Sequence, residues 1–363
     1  MIYFFTTYIT VAIAGISDFW PKLKKIGLVI SIVFLSMLAG LRNMGGLDFE
    51  VYQSIYYGFG VAYFSDEIGY IFLNNLFSWA GVSYNIFLFC YTLAAVIILV
   101  LFLHKHTKYP SFALMFYMAC YFFFYNMVLN RQMICMSLAL WAIYYWDKNK
   151  IYSLLTIGVG VLFHNSLVVL LPCMIIYEFL KHTKGSNSWV AFFVFLILFT
   201  IFITPERFID IIGSVPGLSF IGNRLYGYLQ KEELSTYTLN NVEYVKMFIG
   251  MAVIVPCIKK ILLNKENRIW LFMYFIGLIL LVWTRNIEIL FRIFVYFDLS
   301  LLVLLPLCLD IVKDKFSRNN RAIMVLIAYI CMGILALASI MYRVNNFNNG
   351  AFWQYQFYFL EMR

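Results

Sequence analysis

The sequence predicts an all-α polytopic membrane protein of about twelve transmembrane helices. Composition is the first reason: 63% of the 363 residues are hydrophobic, only 12% are charged, and the mean hydropathy is +0.84. Soluble domains carry about 25% charged residues. Distribution is the second, because apolar stretches recur along the whole chain with no polar domain, linker or internal repeat between them. The third is the alternation of Lys-rich with Lys-poor connections, which marks a chain threading to and fro across a bilayer. A single membrane domain over residues 1–363 is expected.

A span needs about 20 apolar residues, and shorter pieces are tolerated inside a bundle. Twelve segments are read as spans: 2–17, 26–41, 84–103, 111–129, 131–146, 151–163, 165–180, 188–204, 244–258, 268–283, 291–311 and 322–341. The first, "MIYFFTTYITVAIAGI", has neither a basic leader nor a small-residue cleavage site, so it is expected to stay as a span. "PKLKK", "HKHTK", "DKNK", "KHTK", "KKILLNKENR" and "KDKFSRNNR" fall at alternate connections. That assigns those six to the cytoplasm and both termini to the outside. The seven cysteines lie inside apolar stretches without a CxxC pair and read as small core residues.

The six inner connections hold 17 of the 27 basic residues, 14 of them Lys. Eight of the others are Arg: Arg42, Arg131, Arg207, Arg224, Arg285, Arg292, Arg343 and Arg363. Lys inside is what topology alone requires. Arg outside runs against the positive-inside tendency, and its planar fork grips phosphate oxygens at two points. Snorkelling, or a salt bridge to Asp48 or Glu288, accounts for any one of them. The set points to an outward-facing anionic ligand.

Residues 113–146 form one apolar run interrupted only by "NRQ". As a single helix it would reach about 51 Å, against a hydrocarbon core of roughly 30 Å. The chain must therefore fold back at Asn130 and Arg131. Residues 152–180 do the same around "HNS", residues 164–166. The arm from 152 to 163 rises only about 18 Å, so this turn is expected to stop below the outer surface. Irregular backbone at that depth needs protein or a water-filled cavity around it, and an ionisable group there is a functional-site candidate. His164 is the one imidazole outside the cytoplasmic connections, which hold His104, His106 and His182. An unperturbed imidazole titrates near pH 6.5, which suits a general base, and Ser166 or a backbone carbonyl is available to orient its second nitrogen. A core histidine satisfied by one hydrogen bond is the bland alternative.

"GLRNMGGLDFEVY" combines a fixed cation (Arg42), two glycines, a carboxylate (Asp48) and an aromatic (Tyr52). If Asp48 opens a short helix, it shares a face with Tyr52. A glycine turn followed by an N-cap Asp48 is the simpler account. "TRNIEILFRIFVYF" puts Arg285, Glu288, Arg292 and Tyr296 on one helical stripe. The acidic pairs Asp66-Glu67 and Glu232-Glu233 point to different sides of any helix, so no outer metal cluster is expected. The outer connection 205–243 is the least hydrophobic stretch and is broken by Pro205 and Pro216. Short amphipathic helices over the cavity are expected there. Tyr226, Tyr228 and Tyr237 are available to stack on sugars, or simply to sit at the interface.

"AGLRNMGGLDFEVY", "NMVLNRQMICMSLALWAIYY", "LLTIGVGVLFHNSLVVLLP" and "LFRIFVYFDLSLLVLLP" resemble, in order, the blocks of the EpsG family of bacterial exopolysaccharide polymerases. These are related to the Wzy polymerases of O-antigen (lipopolysaccharide) and capsule assembly. The likeness runs from about residue 38 to 306, with more in the tail "FWQYQFYF". It implies a GT-C-like glycosyltransferase on the outer side of the bacterial inner membrane, needing no metal or other cofactor. The growing glycan would leave its undecaprenyl pyrophosphate for a sugar hydroxyl of another lipid-linked repeat unit, with inversion. Block matching carries over Arg42, Asp48, Arg131, His164 and Arg292. "NMGGLD" departs from the pattern of one glycine followed by Thr or Ser before the Asp.

The expected site is therefore His164 and Asp48 as catalytic groups, with Arg42, Arg131, Arg285 and Arg292 on the pyrophosphate. Tyr52, Gln132, Ser166 and Tyr296 are expected to bind the substrate. His164 is preferred as the base, since an exposed carboxylate with a pKa near 4 is weaker. Expected partners are the undecaprenyl-pyrophosphate-linked oligosaccharide, membrane lipid, a chain-length regulator and a flippase, and no nucleic acid. A flippase for lipid-linked oligosaccharide would instead need cations along a path through the bilayer. A secondary transporter would need similar halves with midplane ion sites, and only Asp298 is a candidate buried acid.

Overall fold

The computed structural model describes residues 2–44, 48–59, 67–182, 186–215, 241–284, 288–346 and 355–357. Most of them are helical, as hydrocarbon demands of any chain that is not a closed barrel. The helices are α1 (Ile2–Gly15), α2 (Pro21–Gly40), α3 (Phe49–Tyr56), α4 (Ile68–Trp79), α5 (Tyr84–His106), α6 (Pro110–Tyr117), α7 (Phe123–Met127), α8 (Asn130–Lys148) and α9 (Lys150–Val161). They continue as α10 (Leu170–His182), α11 (Ser186–Phe202), α12 (Pro205–Ser214), α13 (Asn241–Ile254), α14 (Ile258–Leu263), α15 (Arg268–Trp283), α16 (Glu288–Asp298), α17 (Leu301–Lys313) and α18 (Arg318–Asn346). Strands β1 (Arg42–Met44) and β2 (Gln356–Phe357) pair antiparallel.

Helix occupies all twelve predicted segments. Among the described residues, seven helical stretches are long and apolar enough to cross a membrane alone, and α11 with α12, bent by 94° between them, is an eighth if counted as one span. The four others are short, interrupted or open on polar residues. At 12 residues, α9 rises only about 18 Å. The stretch from α6 to α7 is broken by a π turn over Met118–Phe122, α8 opens on Asn130, Arg131 and Gln132, and α13 has 14 residues.

The chain divides into two compact units, residues 1–168 with 252–263 and 302–363, and residues 169–251 with 264–301. In the first, α1 packs on α2, α2 on α5, α5 on α8 and α8 on α9. Small residues let these backbones approach, as in other membrane bundles: a Cβ on Gly40 of α2 would come within 2.4 Å of the Phe89 Cα in α5. Ser137 donates to the Ala95 carbonyl at 2.8 Å and Trp141 to that of Ile98 at 3.1 Å, tying α8 to α5. The hairpin into α9 is capped by Asn149, whose side chain accepts from the Ile151 and Tyr152 N–H groups at 3.0 and 3.3 Å.

The π turn has its own partners. Tyr8 of α1 donates to the Met118 carbonyl at 2.9 Å, Ser339 of α18 to that of Ala119, and Arg343 of α18 to that of Cys120 at 3.1 Å. Three successive carbonyls at a widened turn thus find donors inside protein. Arg343, one of the eight arginines expected outside, has its place here.

In the second unit, α10, α11 and α16 pack on α15, with Tyr177, Trp189 and Phe272 forming an aromatic knot at centroid separations of 5.4–6.0 Å. Lys246 of α13 and Asp298 of α16 meet in a buried ion pair. Thr204 caps α12, accepting from the Arg207 N–H at 3.4 Å. Helix α12 is amphipathic, burying Pro205 and Ile209 and exposing Glu206, Arg207 and Asp210. Residues 216–240, with Tyr226, Tyr228 and Tyr237, lie outside the described residues.

Candidate functional site

Both predicted breaks are present. Helix α7 stops at Met127 and α8 starts at Asn130, and α9 gives way after Val161 to a short turn and a 3₁₀ segment over Asn165–Val169. The His164 N–H donates to the Gly160 carbonyl at 2.9 Å, which closes the end of α9. One residue that the sequence reading set aside brings the two breaks together. Glu67, directly before α4, places Oε1 2.5 Å from His164 Nδ1 and accepts from Arg131 Nη1 on Oε2.

Three local features hold this trio. Glu67 opens α4 with its backbone, its carbonyl accepting from the Ile71 N–H at 3.1 Å, but its side chain does not cap the helix. The first turn of α4 is joined to the end of α9 by the Gly69 N–H, which donates to the Leu162 carbonyl at 2.8 Å. Arg131 is held from two further helices: its Nε donates to the Tyr52 hydroxyl at 3.3 Å, its guanidinium lies 5.6 Å from the centre of the Tyr52 ring, and its carbonyl accepts from Tyr91 at 3.2 Å. Burial pushes the Tyr52 hydroxyl above its ordinary range, against the pull of Arg131. It therefore stays a neutral phenol able to accept this bond.

The trio is graded in exposure: 7% for the Glu67 side chain, 15% for Arg131 and 25% for His164. Against an ionised carboxylate, which only accepts, Nδ1 of a neutral His164 ring is the donor and Nε2 keeps the lone pair. Such an arrangement can take up a proton at Nε2 and stabilise the imidazolium that results.

Asp48 precedes α3 as foreseen, its carbonyl accepting from the Tyr52 N–H at 3.0 Å, but its carboxylate does not cap the helix. Arg42 is fully buried and turned inward: it donates to the Ala39 carbonyl, to that of Asn126 at 3.3 Å and to the Asn130 side chain at 2.8 Å. Its own carbonyl accepts from Asn85 at 2.6 Å, so it pins β1 between α2, α5 and the α7–α8 break. Gln132 is buried in the first turn of α8, and Ser166 is half-buried in the 3₁₀ segment. Tyr296 is fully buried in the second unit. Arg285 and the Arg292 side chain lie outside the described residues.

No curated protein and no solved structure matches the chain. The profile of the EpsG family does, over residues 25–357, a range that takes in every element of the trio and both strands. With the ordered sequence blocks and nearly the whole chain covered, the protein belongs to the EpsG family.

Proposed function

We propose that this protein is a polysaccharide polymerase of the bacterial inner membrane, threaded through it about twelve times with a GT-C-like architecture and its site facing outward. Its substrate is an undecaprenyl-pyrophosphate-linked oligosaccharide. Family membership supports the polymerase class. The observation that carries the chemistry is one carboxylate shared by His164 and Arg131 at two breaks in apolar helices.

In the reaction, a hydroxyl oxygen of the acceptor repeat unit attacks the anomeric carbon of the growing glycan. The bond from that carbon to the pyrophosphate oxygen breaks, inverting the centre, and the hydroxyl proton passes to His164 Nε2. General-base catalysis of this kind contributes about 10²–10⁴ in rate. The departing pyrophosphate gains negative charge, and the Arg131 guanidinium provides fixed positive charge in a partly dry setting where it counts most. Arg285 and Arg292 are further candidates for the pyrophosphate, with Asp48, Tyr52, Gln132, Ser166 and Tyr296 for the sugars. Arg42, spent on carbonyls and Asn130, acts by shaping the loop. The step needs neither metal nor cofactor. A chain-length regulator and a flippase are proposed partners.

The test is product length. Membranes containing the protein, given lipid-linked repeat unit, should yield a ladder of long glycans, and His164→Ala membranes with equal protein should yield only the single unit. Transbilayer movement of the lipid-linked unit without any polymer would replace this reading with a flippase.

A further inference from the structure

Glu67 has no part in the reaction just described, yet it is the most buried member of the trio and its carboxylate is spent on other segments rather than on its own helix. One oxygen faces His164 and the other Arg131. Arg131 is a donor under all conditions. An ionised Glu67 satisfies both contacts at once, its two oxygens accepting from Arg131 on one side and from a proton-bearing Nδ1 on the other.

We propose that Glu67 is the positioning residue of this site, holding the His164 imidazole in the tautomer that leaves Nε2 as the proton acceptor and linking the base to Arg131. The inference rests on His164 being the base. Nothing in it depends on which sugars are joined.

The near-isosteric Glu67→Gln variant makes the sharpest test, because Arg131 decides how the amide sits. The amide oxygen must face the guanidinium, which turns the NH₂ group toward His164 Nδ1. Nδ1 then has to accept, its proton moves to Nε2, and the base is lost with hardly an atom displaced. Replacing the orienting carboxylate of a Ser-His-Asp triad by an amide acts in this way and costs about 10⁴ in rate. Glu67→Gln should thus lose at least about 100-fold in polymerisation at wild-type protein abundance, and Glu67→Asp, which keeps the carboxylate, should recover part of it.

The spectroscopic readout is independent of activity. ¹⁵N-histidine spectra of the purified full chain in detergent, with the His164 signal assigned by its loss in His164→Gln, should give a protonated Nδ1 in the wild type and a protonated Nε2 in Glu67→Gln. An unchanged His164 spectrum together with wild-type ladders from Glu67→Gln would overturn the proposal. Wild-type ladders from His164→Ala would overturn the base itself, and this role of Glu67 with it, while the spectra still report whether Glu67 sets the tautomer.

Discussion

Gly69 and Leu162 join two helices end to end: the Gly69 N–H donates to the Leu162 carbonyl at 2.8 Å, two residues from Glu67 on one side and two from His164 on the other. The contact leaves no room for a side chain, since a Cβ on Gly69 would lie 2.9 Å from the Leu162 Cβ and 3.0 Å from its carbonyl oxygen.

Gly69→Ala should consequently push α4 off the end of α9 and stretch the Glu67 to His164 contact without altering any group in the trio. Overpacking of this kind costs about 1–3 kcal/mol. Thermal melting in detergent should fall modestly, and glycan ladders should shorten by more than the loss of folded protein explains. Ladders of unchanged length would mean that the helix junction does not set the site.

Arg42 and Arg131 should respond differently to the same exchange. Lys cannot reproduce the inward fork of Arg42, and hydrogen bonds from a charged group contribute about 1.5–3 kcal/mol each. Arg42→Lys should lower the melting temperature and the yield of folded protein. Arg131→Lys, in a more exposed position, should keep the yield and lose polymerisation. The same melting temperature in both variants would remove the distinction.

In the Lys246–Asp298 pair the lysine is buried, at 3% exposure, and the carboxylate nearly so, at 13%. Breaking a buried pair by removing one member costs about 3–5 kcal/mol, whereas replacing both by apolar residues is often neutral. Asp298→Leu should therefore melt early, and Lys246→Met with Asp298→Leu should melt near the wild type. If the double variant melts as early as the single one, the pair has a role beyond charge balance.

Topology offers a fourth test. Reporters fused after Asn187 or Lys315 should behave as cytoplasmic and one within residues 205–243 as external, given the Lys-rich connections. An external signal at either of the first two positions would sink the twelve-span threading.

Much of this architecture was legible because hydrocarbon leaves a chain few choices. Apolar runs had to become helices, and runs too long for the bilayer had to turn at their polar residues, "NRQ" and "HNS". Glu67 was not legible. Beside Asp66 it read as one of two adjacent acids pointing to different sides of any helix, and only the fold carries it to His164, 97 residues away in sequence. A signal did exist: a histidine and an arginine at breaks in apolar runs call for a counter-charge, and the chain has only 18 acids to 27 basic residues. Arg42 shows the opposite limit, since its position in the sequence cannot say whether a guanidinium turns outward to a ligand or inward to carbonyls.

The widened turn at Met118–Phe122 has a bearing on which changes this protein can tolerate. Each residue advances a helix by about 100°, so the extra residue in that turn sets the angular phase of α7 relative to α6. Downstream of it stands Asn126, whose side chain accepts from Tyr117 at 2.5 Å and whose carbonyl accepts from Arg42. Deleting one residue there would leave the stretch as apolar as before and swing Asn126 about a quarter of a turn from Arg42. In this segment the count of residues is constrained more tightly than their identity, and insertions or deletions should be far more damaging than substitutions of one hydrophobic residue by another.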